Sequence, residues 1–182
     1  MKTLIIHPKD KSTSFLDIIY KDIKEKTIIT GGKTKYEIRE LIESHDRIML
    51  MGHGSSFGLF SMGQFGSDSN YVINPTHVKL LEKKSNVIYI WCNADVFVNH
   101  FNLKGFYSGM FISEVGEGYF CGVDNVTQNI VDESNFKFVE IVGESINDNL
   151  NNLYKNVVSK YGKLIKTNSV AEYNHQRLYL KE

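Results

Sequence analysis

The stretch "NVIYIWCNAD" (residues 86–95) decides the fold, because it is apolar over almost its whole length. A strand with one solvated face alternates apolar and polar residues, whereas a strand covered by helices on both faces is apolar throughout. We therefore predict that this stretch is a central strand of a parallel sheet. The strand runs into Cys92, and "ADVFVNHF" (94–101) predicts a short helix directly after it.

Apolar runs and amphipathic segments alternate on the N-terminal side of this strand. Phe15, Ile18 and Ile19 recur at helical spacing in one of these segments, and Asn74-Pro75 is a typical start of another helix. The predicted strands are "TLIIHP" (3–8), "TIIT" (27–30) and "RIMLMGHG" (47–54), and the predicted helices are "KSTSFLDIIYKDIKEK" (11–26), "KTKYEIRELIES" (33–44) and "NPTHVKLLEKKS" (74–85).

The remaining segments complete the same alternation. "SSFGLFSMGQFGSDSNYVI" (55–73) mixes glycines and polar turn residues with aromatics, which predicts a β-hairpin or a long loop. "GFYSGMFISE" (105–114) predicts a fifth strand, residues 133–162 are predicted to be largely helical, and "RLYL" (177–180) predicts a last strand.

Strands that alternate with helices predict right-handed crossovers and a mostly parallel sheet. We expect an α/β fold, a three-layer αβα sandwich, in which residues 1–182 form a single domain. Function in such sheets collects at the carboxyl ends of the strands.

Composition limits the classes of partner. Lys and Arg number 21 and so do Asp and Glu, so there is no basic excess of the kind that nucleic-acid binding favours. The start "MKTLIIHPKD" has only three consecutive apolar residues, and no stretch approaches the ~18 of a membrane span. We expect a cytoplasmic protein that binds neither nucleic acid nor membrane. Two cysteines in 182 residues predict neither a disulfide framework nor a zinc site.

His53 and Cys92 are the residues with the clearest chemical potential. Each follows a predicted strand, and one helical connection separates the two strands, so we expect the strands to be neighbours about 4.8 Å apart. An imidazolium and a helix N-terminus both favour a thiolate, which is the nucleophile in covalent catalysis on an amide. The N–H of Gly54, which has no Cβ beside it, and the N–H of Cys92 are candidates for an oxyanion hole.

These residues resemble the caspase-like cysteine peptidases (clan CD), which include legumains, gingipains, clostripain and separase. The resemblance rests on "IMLMGHG" (48–54) and "VIYIWCNAD" (87–95) and covers about residues 1–115. It implies a caspase-like sheet, His53 as general acid and base, and Cys92 as nucleophile. The two are 92 − 53 = 39 residues apart, against about 50 in caspases, which fits a smaller hairpin.

The implied activity is that of a cysteine endopeptidase that acts on a peptide or protein substrate through a thioester acyl-enzyme and needs no metal or cofactor. Clostripain-like relatives carry an acid two residues before the cysteine, where this chain has Ile90, so their preference for basic side chains does not carry over. Trp91, immediately before the cysteine, is expected to point to the opposite face of the strand, into a helix layer. Candidate substrate-binding residues are Asp95 and, within "SGMFISEVGEGYFCG" (108–122), Ser113 and Glu114.

Each of these residues also has a purely structural interpretation. Cys92 is then a small buried side chain, His53 a loop residue, Asp95 an acid at a helix N-terminus and Glu114 a helix cap. Two other functions therefore stay open: a catalytically inactive caspase-like protein that binds a protein partner, and a flavodoxin-like binder of a small molecule.

Overall fold

A six-stranded sheet forms the centre of the fold in the computed structural model, which describes residues 1–65 and 70–182. The strands of the described residues are β1 (Thr3–Ile6), β2 (Lys26–Ile29), β3 (Arg47–Met51), β4 (Gly54–Ser55), β5 (Gly58–Phe60), β6 (Tyr71–Ile73), β7 (Val87–Ile90), β8 (Gly105–Ser108) and β9 (Leu178–Lys181). The central sheet has the order β2-β1-β3-β7-β8-β9, and only β9 runs antiparallel to its neighbour. The predicted mostly parallel sheet is therefore confirmed.

Helices cover both faces of this sheet. They are α1 (Asp17–Tyr20), α2 (Lys35–Ser44), α3 (Val78–Leu81), α4 (Ala94–His100), α5 (Val115–Phe120), α6 (Gln128–Ser145), α7 (Leu150–Tyr161) and α8 (Ser169–His175), with 3-10 turns at Ser14–Leu16 and Pro75–His77. On one face, the side chains of α2, α3 and α4 pack with Ile48 and Leu50. On the other face, the side chains of α1, α6 and α7 pack with Met49 and Met51. The fold is an αβα sandwich, as predicted, and we call these two sides the α2 face and the α6 face.

Three predicted elements are shorter than expected. The helix predicted over 74–85 is a 3-10 turn, Pro75–His77, followed by the four residues of α3. The strand predicted over 105–114 ends at Ser108. Gly109 N–H still donates to the carbonyl of Arg177, which lies opposite it in the β8–β9 register, but beyond it the backbone of Ile112 is bonded to the side chain of Asn174.

The helix predicted over 11–26 is a 3-10 turn followed by the four residues of α1. Beyond it, the carbonyls of Tyr20 and Lys21 accept from Nζ of Lys26, the first residue of β2, and so have a partner without a further helical turn.

The segment after β3 forms a small antiparallel sheet of order β4-β5-β6, which confirms the predicted hairpin. Residues 66–69 of the predicted 55–73 segment lie outside the described residues. In the described part of the chain, none of the helices combines the length and the apolar character that a membrane span requires.

Candidate active site

His53 and Cys92 occupy equivalent positions at the carboxyl ends of neighbouring strands. The ladder between β3 and β7 ends with Met51 opposite Ile90, and Gly52 N–H continues it with a bond of 3.0 Å to the Ile90 carbonyl. His53 and Cys92 each lie two residues beyond the last pair. Since neighbouring parallel strands are about 4.8 Å apart, the backbones of this predicted pair lie side by side at the sheet edge. Among the described residues, the hydrogen-bond partners of the two side chains are other groups and not each other.

Both side chains lie on the α6 face. The His53 ring contacts Ser12, which lies just before α1, and the Cys92 thiol contacts Phe111, whose side chain packs in the α6-face core. Trp91 lies on the α2 face, where its ring packs edge-on against Tyr89 and Phe97. The Trp91 side chain therefore does not obstruct the α6 face, on which Cys92 lies, as predicted.

The N–H of Gly54 points away from the partner strand of its hairpin. The His53 carbonyl accepts a 2.9 Å bond from Phe60 N–H, so these two residues form a hydrogen-bonded pair of the antiparallel ladder. The next pair, Gly54 and Leu59, is then a non-hydrogen-bonded pair, whose N–H groups point outward. The hairpin ladder therefore does not use the Gly54 N–H, which keeps it a candidate oxyanion donor.

Trp91 explains why the residue after His53 is a glycine. A Cβ at position 54 would lie 2.2 Å from Trp91 Cδ1 and 2.7 Å from the Gly58 carbonyl oxygen. The Trp91 ring is buried, and its Nε1 donates a 3.0 Å bond to the Ser55 carbonyl. The indole therefore fixes the chain that follows His53, and only a glycine fits against it.

The Cys92 thiol faces the chain that follows β8. Sγ donates to the Phe111 carbonyl at 3.5 Å, and it lies 3.9 Å from Glu117 Oε1. Burial and, after it, the Glu117 carboxylate raise the pKa of Cys92 to about 12. The expectation of a thiolate at neutral pH is therefore wrong for this conformation, because these effects oppose the expected stabilisation by an imidazolium and a helix N-terminus.

Glu117 is held firmly in this position. Its Oε2 accepts from Ser113 N–H at 2.7 Å, from Ser113 Oγ at 3.0 Å and from Glu114 N–H at 3.1 Å. These three donors lie at the start of α5, so the carboxylate closes the first turn of that helix while Oε1 remains against the thiol.

The His53 ring is held from the opposite side, by the loop between β1 and α1. Nε2 lies 2.6 Å from Ser12 Oγ and 3.6 Å from Asp10 Oδ1. Asp10 Oδ1 also accepts from Ser12 Oγ at 2.5 Å and from Ser12 N–H at 2.8 Å. These hydrogen bonds lower the pKa of Asp10, so it is ionised at neutral pH.

A cavity of about 440 Å³ adjoins both contacts on the α6 face. It is lined by Ser12, the partner of His53, and by Ser113, which holds Glu117 beside Cys92. Glu114 lines it as well. Two of the three predicted substrate-binding residues therefore line one cavity, which adjoins the side chains that hold His53 and Glu117 but is not lined by His53 or Cys92 themselves.

Asp95, the third predicted substrate-binding residue, lies apart from this cavity, near the backbone of Gly109 on β8's carboxyl side. Its Oδ1 is buried and has no hydrogen-bond partner among the described residues. Within those residues, no group of three or more His, Cys, Asp or Glu side chains is arranged to hold a metal ion.

Sequence reasoning missed Asp10, Ser12 and Glu117. Asp10 and Ser12 lie more than 40 residues before His53, and no local pattern marks a loop residue that will reach a distant ring. The spacing of Ser113 and Glu117, four apart at the start of a helix, did carry a signal, since a Glu in the first turn accepts from backbone N–H groups before it.

Comparison with protein-family models, with curated proteins and with solved structures found no match to this chain.

Proposed function

We propose that this protein is a cysteine endopeptidase of caspase-like type, with Cys92 as nucleophile and His53 as general acid and base. The observation that carries the proposal is the register: both residues lie two positions beyond the Met51–Ile90 pair, on the same face of the sheet. The strand order, with an antiparallel strand at one edge, and the cavity beside the pair support it.

Catalysis starts from a thiol, because burial holds the pKa of Cys92 at about 12. Sγ turns from the Phe111 carbonyl towards the scissile carbonyl, and its proton passes to His53 as the S–C bond forms. The carbonyl electron pair moves onto oxygen, which the N–H groups of Gly54 and Cys92 stabilise.

The tetrahedral intermediate then collapses to a thioester. The C–N bond breaks, and the leaving nitrogen takes the proton from His53. Water next attacks the thioester and gives a proton to His53, the C–S bond breaks, and Cys92 regains its proton from the ring. The cavity lined by Ser12, Ser113 and Glu114 holds a substrate side chain during these steps.

A set of peptidyl acyloxymethyl ketones with varied side chains tests the proposal, with the modified residue identified by mass spectrometry. We expect covalent labelling of Cys92 that is lost in His53→Ala and retained in Cys121→Ala. Cys121 is the matched control, since it is the other free cysteine and is also partly buried. Labelling that persists in His53→Ala, or that falls on Cys121 instead, would overturn the proposal.

The thiol environment favours one alternative, an inactive protein of the same fold that binds a protein partner. The Phe111 carbonyl and the Glu117 carboxylate are the hydrogen-bond acceptors next to Sγ. A thiol that is buried and hydrogen-bonded in this way is typical of a cysteine with a structural role. In that case no probe labels Cys92 in the folded protein, while iodoacetamide modifies it once the protein is unfolded in denaturant.

A further inference from the structure

The hydrogen bonds around Ser12 fix which nitrogen of His53 carries the proton. A hydroxyl has one hydrogen to donate, and Ser12 Oγ gives it to Asp10 Oδ1 at 2.5 Å. The ionised carboxylate cannot give a hydrogen back. Ser12 Oγ must therefore accept at its 2.6 Å contact with His53 Nε2, which places the hydrogen on Nε2.

The other ring nitrogen is then the base. A neutral imidazole with a hydrogen on Nε2 has its lone pair on Nδ1. Among the residues that the structure describes, Nδ1 of His53 has no hydrogen-bond partner, whereas Nε2 has Ser12 and, at 3.6 Å, Asp10. The ring is thus anchored through one nitrogen and available through the other.

We infer that Ser12 and Asp10 are positioning residues for His53, which hold the ring as the Nε2–H tautomer with Nδ1 free to take a proton. The catalytic part of this role rests on the proposed peptidase function, in which Nδ1 accepts the Cys92 proton. Asp10 also supplies a negative charge on the far side of the ring, which stabilises the imidazolium that forms in that step.

The anchor has the rigidity that such a role needs. Asp10 accepts from both the Oγ and the N–H of Ser12, so the two residues form one closed turn. The side chains of His53 and Asp10 are each about a quarter exposed, at 25% and 26%, so bulk water competes only partly for these hydrogen bonds.

The direct test is the tautomer of His53, read from the ring nitrogens by long-range proton–nitrogen correlation NMR at about pH 8.5, where an imidazole is neutral. His53→Gln identifies the ring signals among the six histidines of the chain. We expect hydrogen on Nε2 in the wild type and a mixture of tautomers in Ser12→Ala and Asp10→Asn. Ser14→Ala is the matched control, since its hydroxyl binds the Lys11 carbonyl in the same loop; its His53 spectrum should equal that of the wild type.

The rate of Cys92 labelling by a saturating peptidyl probe gives the second readout. Loss of the anchor misplaces the ring, so Ser12→Ala should slow labelling by about ten- to a hundredfold, and Ser12→Thr, which keeps a hydroxyl, should restore it. Hydrogen on Nδ1 in the wild type, or an unchanged tautomer in Ser12→Ala, would overturn the inference.

The two proposals fail differently. Labelling that needs His53 but is as fast in Ser12→Ala as in the wild type overturns the positioning role and leaves the peptidase intact. If the tautomer changes as expected but no probe labels Cys92, the result supports the anchoring of His53 by Ser12 and Asp10. The same result overturns the peptidase proposal.

Discussion

The Glu117 carboxylate lies against the Cys92 thiol, with Oε1 3.9 Å from Sγ. Its other oxygen is fixed by Ser113 and Glu114, so the charge cannot move away without opening the first turn of α5. A negative charge at this distance disfavours a thiolate, and together with burial it keeps Cys92 protonated at neutral pH.

Glu117→Gln should therefore lower the pKa of Cys92 and speed its alkylation. The glutamine oxygen can still accept from Ser113 and Glu114, while its amide group faces Sγ without a charge. Each unit by which the pKa falls raises the thiolate fraction about tenfold. The measurement is the iodoacetamide rate at Cys92 against pH in a Cys121→Ala background, with Glu114→Gln as the control carboxylate. An unchanged pH profile would exclude Glu117 as a cause of the raised pKa.

Gly54→Ala should destabilise the fold, because the new methyl group would lie 2.2 Å from Trp91 Cδ1. Overpacking of this kind costs about 1–3 kcal/mol of unfolding free energy. Gly116→Ala is the matched control: a Cβ there meets nothing within 4 Å, and replacing a helical glycine stabilises by about 0.5–1 kcal/mol. Urea unfolding measures both, and a Gly54→Ala protein as stable as the wild type would show that Trp91 does not require the glycine.

The sequence predicts the positions of His53 and Cys92, because these follow from the order of the strands. Apolar runs place β3 and β7 side by side, and His53 and Cys92 both follow those runs, so their neighbouring backbone positions are a consequence of local pattern. The partners of the two residues do not follow from it. Ser12 comes from a loop and Glu117 from the short helix α5, whose directions depend on packing, and each contact joins residues that are far apart in the chain.

The same distinction between local pattern and distant contacts explains why the fifth predicted strand is shorter than its sequence indicates. "GFYSGMFISE" is apolar enough to continue to residue 114, yet β8 ends at Ser108. Beyond Gly109 the chain is diverted by a distant side chain, because Asn174 binds both backbone groups of Ile112. A strand-like pattern thus becomes the loop that carries Phe111 and Ser113 to the thiol.

Asn174→Ala should release that loop. The Asn174 side chain is fully buried, donating from Nδ2 to the Ile112 carbonyl at 2.9 Å and accepting from Ile112 N–H at 2.7 Å. Leaving two buried backbone groups without partners costs about 2–6 kcal/mol in total. Urea unfolding should show this loss, and Cys92 should be alkylated faster since Phe111 moves from it. Asn152→Ala, an exposed site, should stay within about 0.5 kcal/mol of the wild type; equal stabilities for the two variants would contradict the prediction.

Acid should destabilise the protein through His77. Burial lowers the pKa of this ring to about 4, and its Nε2 has no hydrogen-bond partner among the described residues. Below pH ~6.5 the unfolded chain takes up a proton that the folded chain refuses, so stability falls as the pH drops from about 6.5 towards about 4. Between about pH 7.5 and pH 5 the wild type should lose about 2 kcal/mol more unfolding free energy than His77→Leu. The exposed His100 gives the control: His100→Leu should keep the wild-type loss, and an equal loss in His77→Leu would assign the acid sensitivity to other groups.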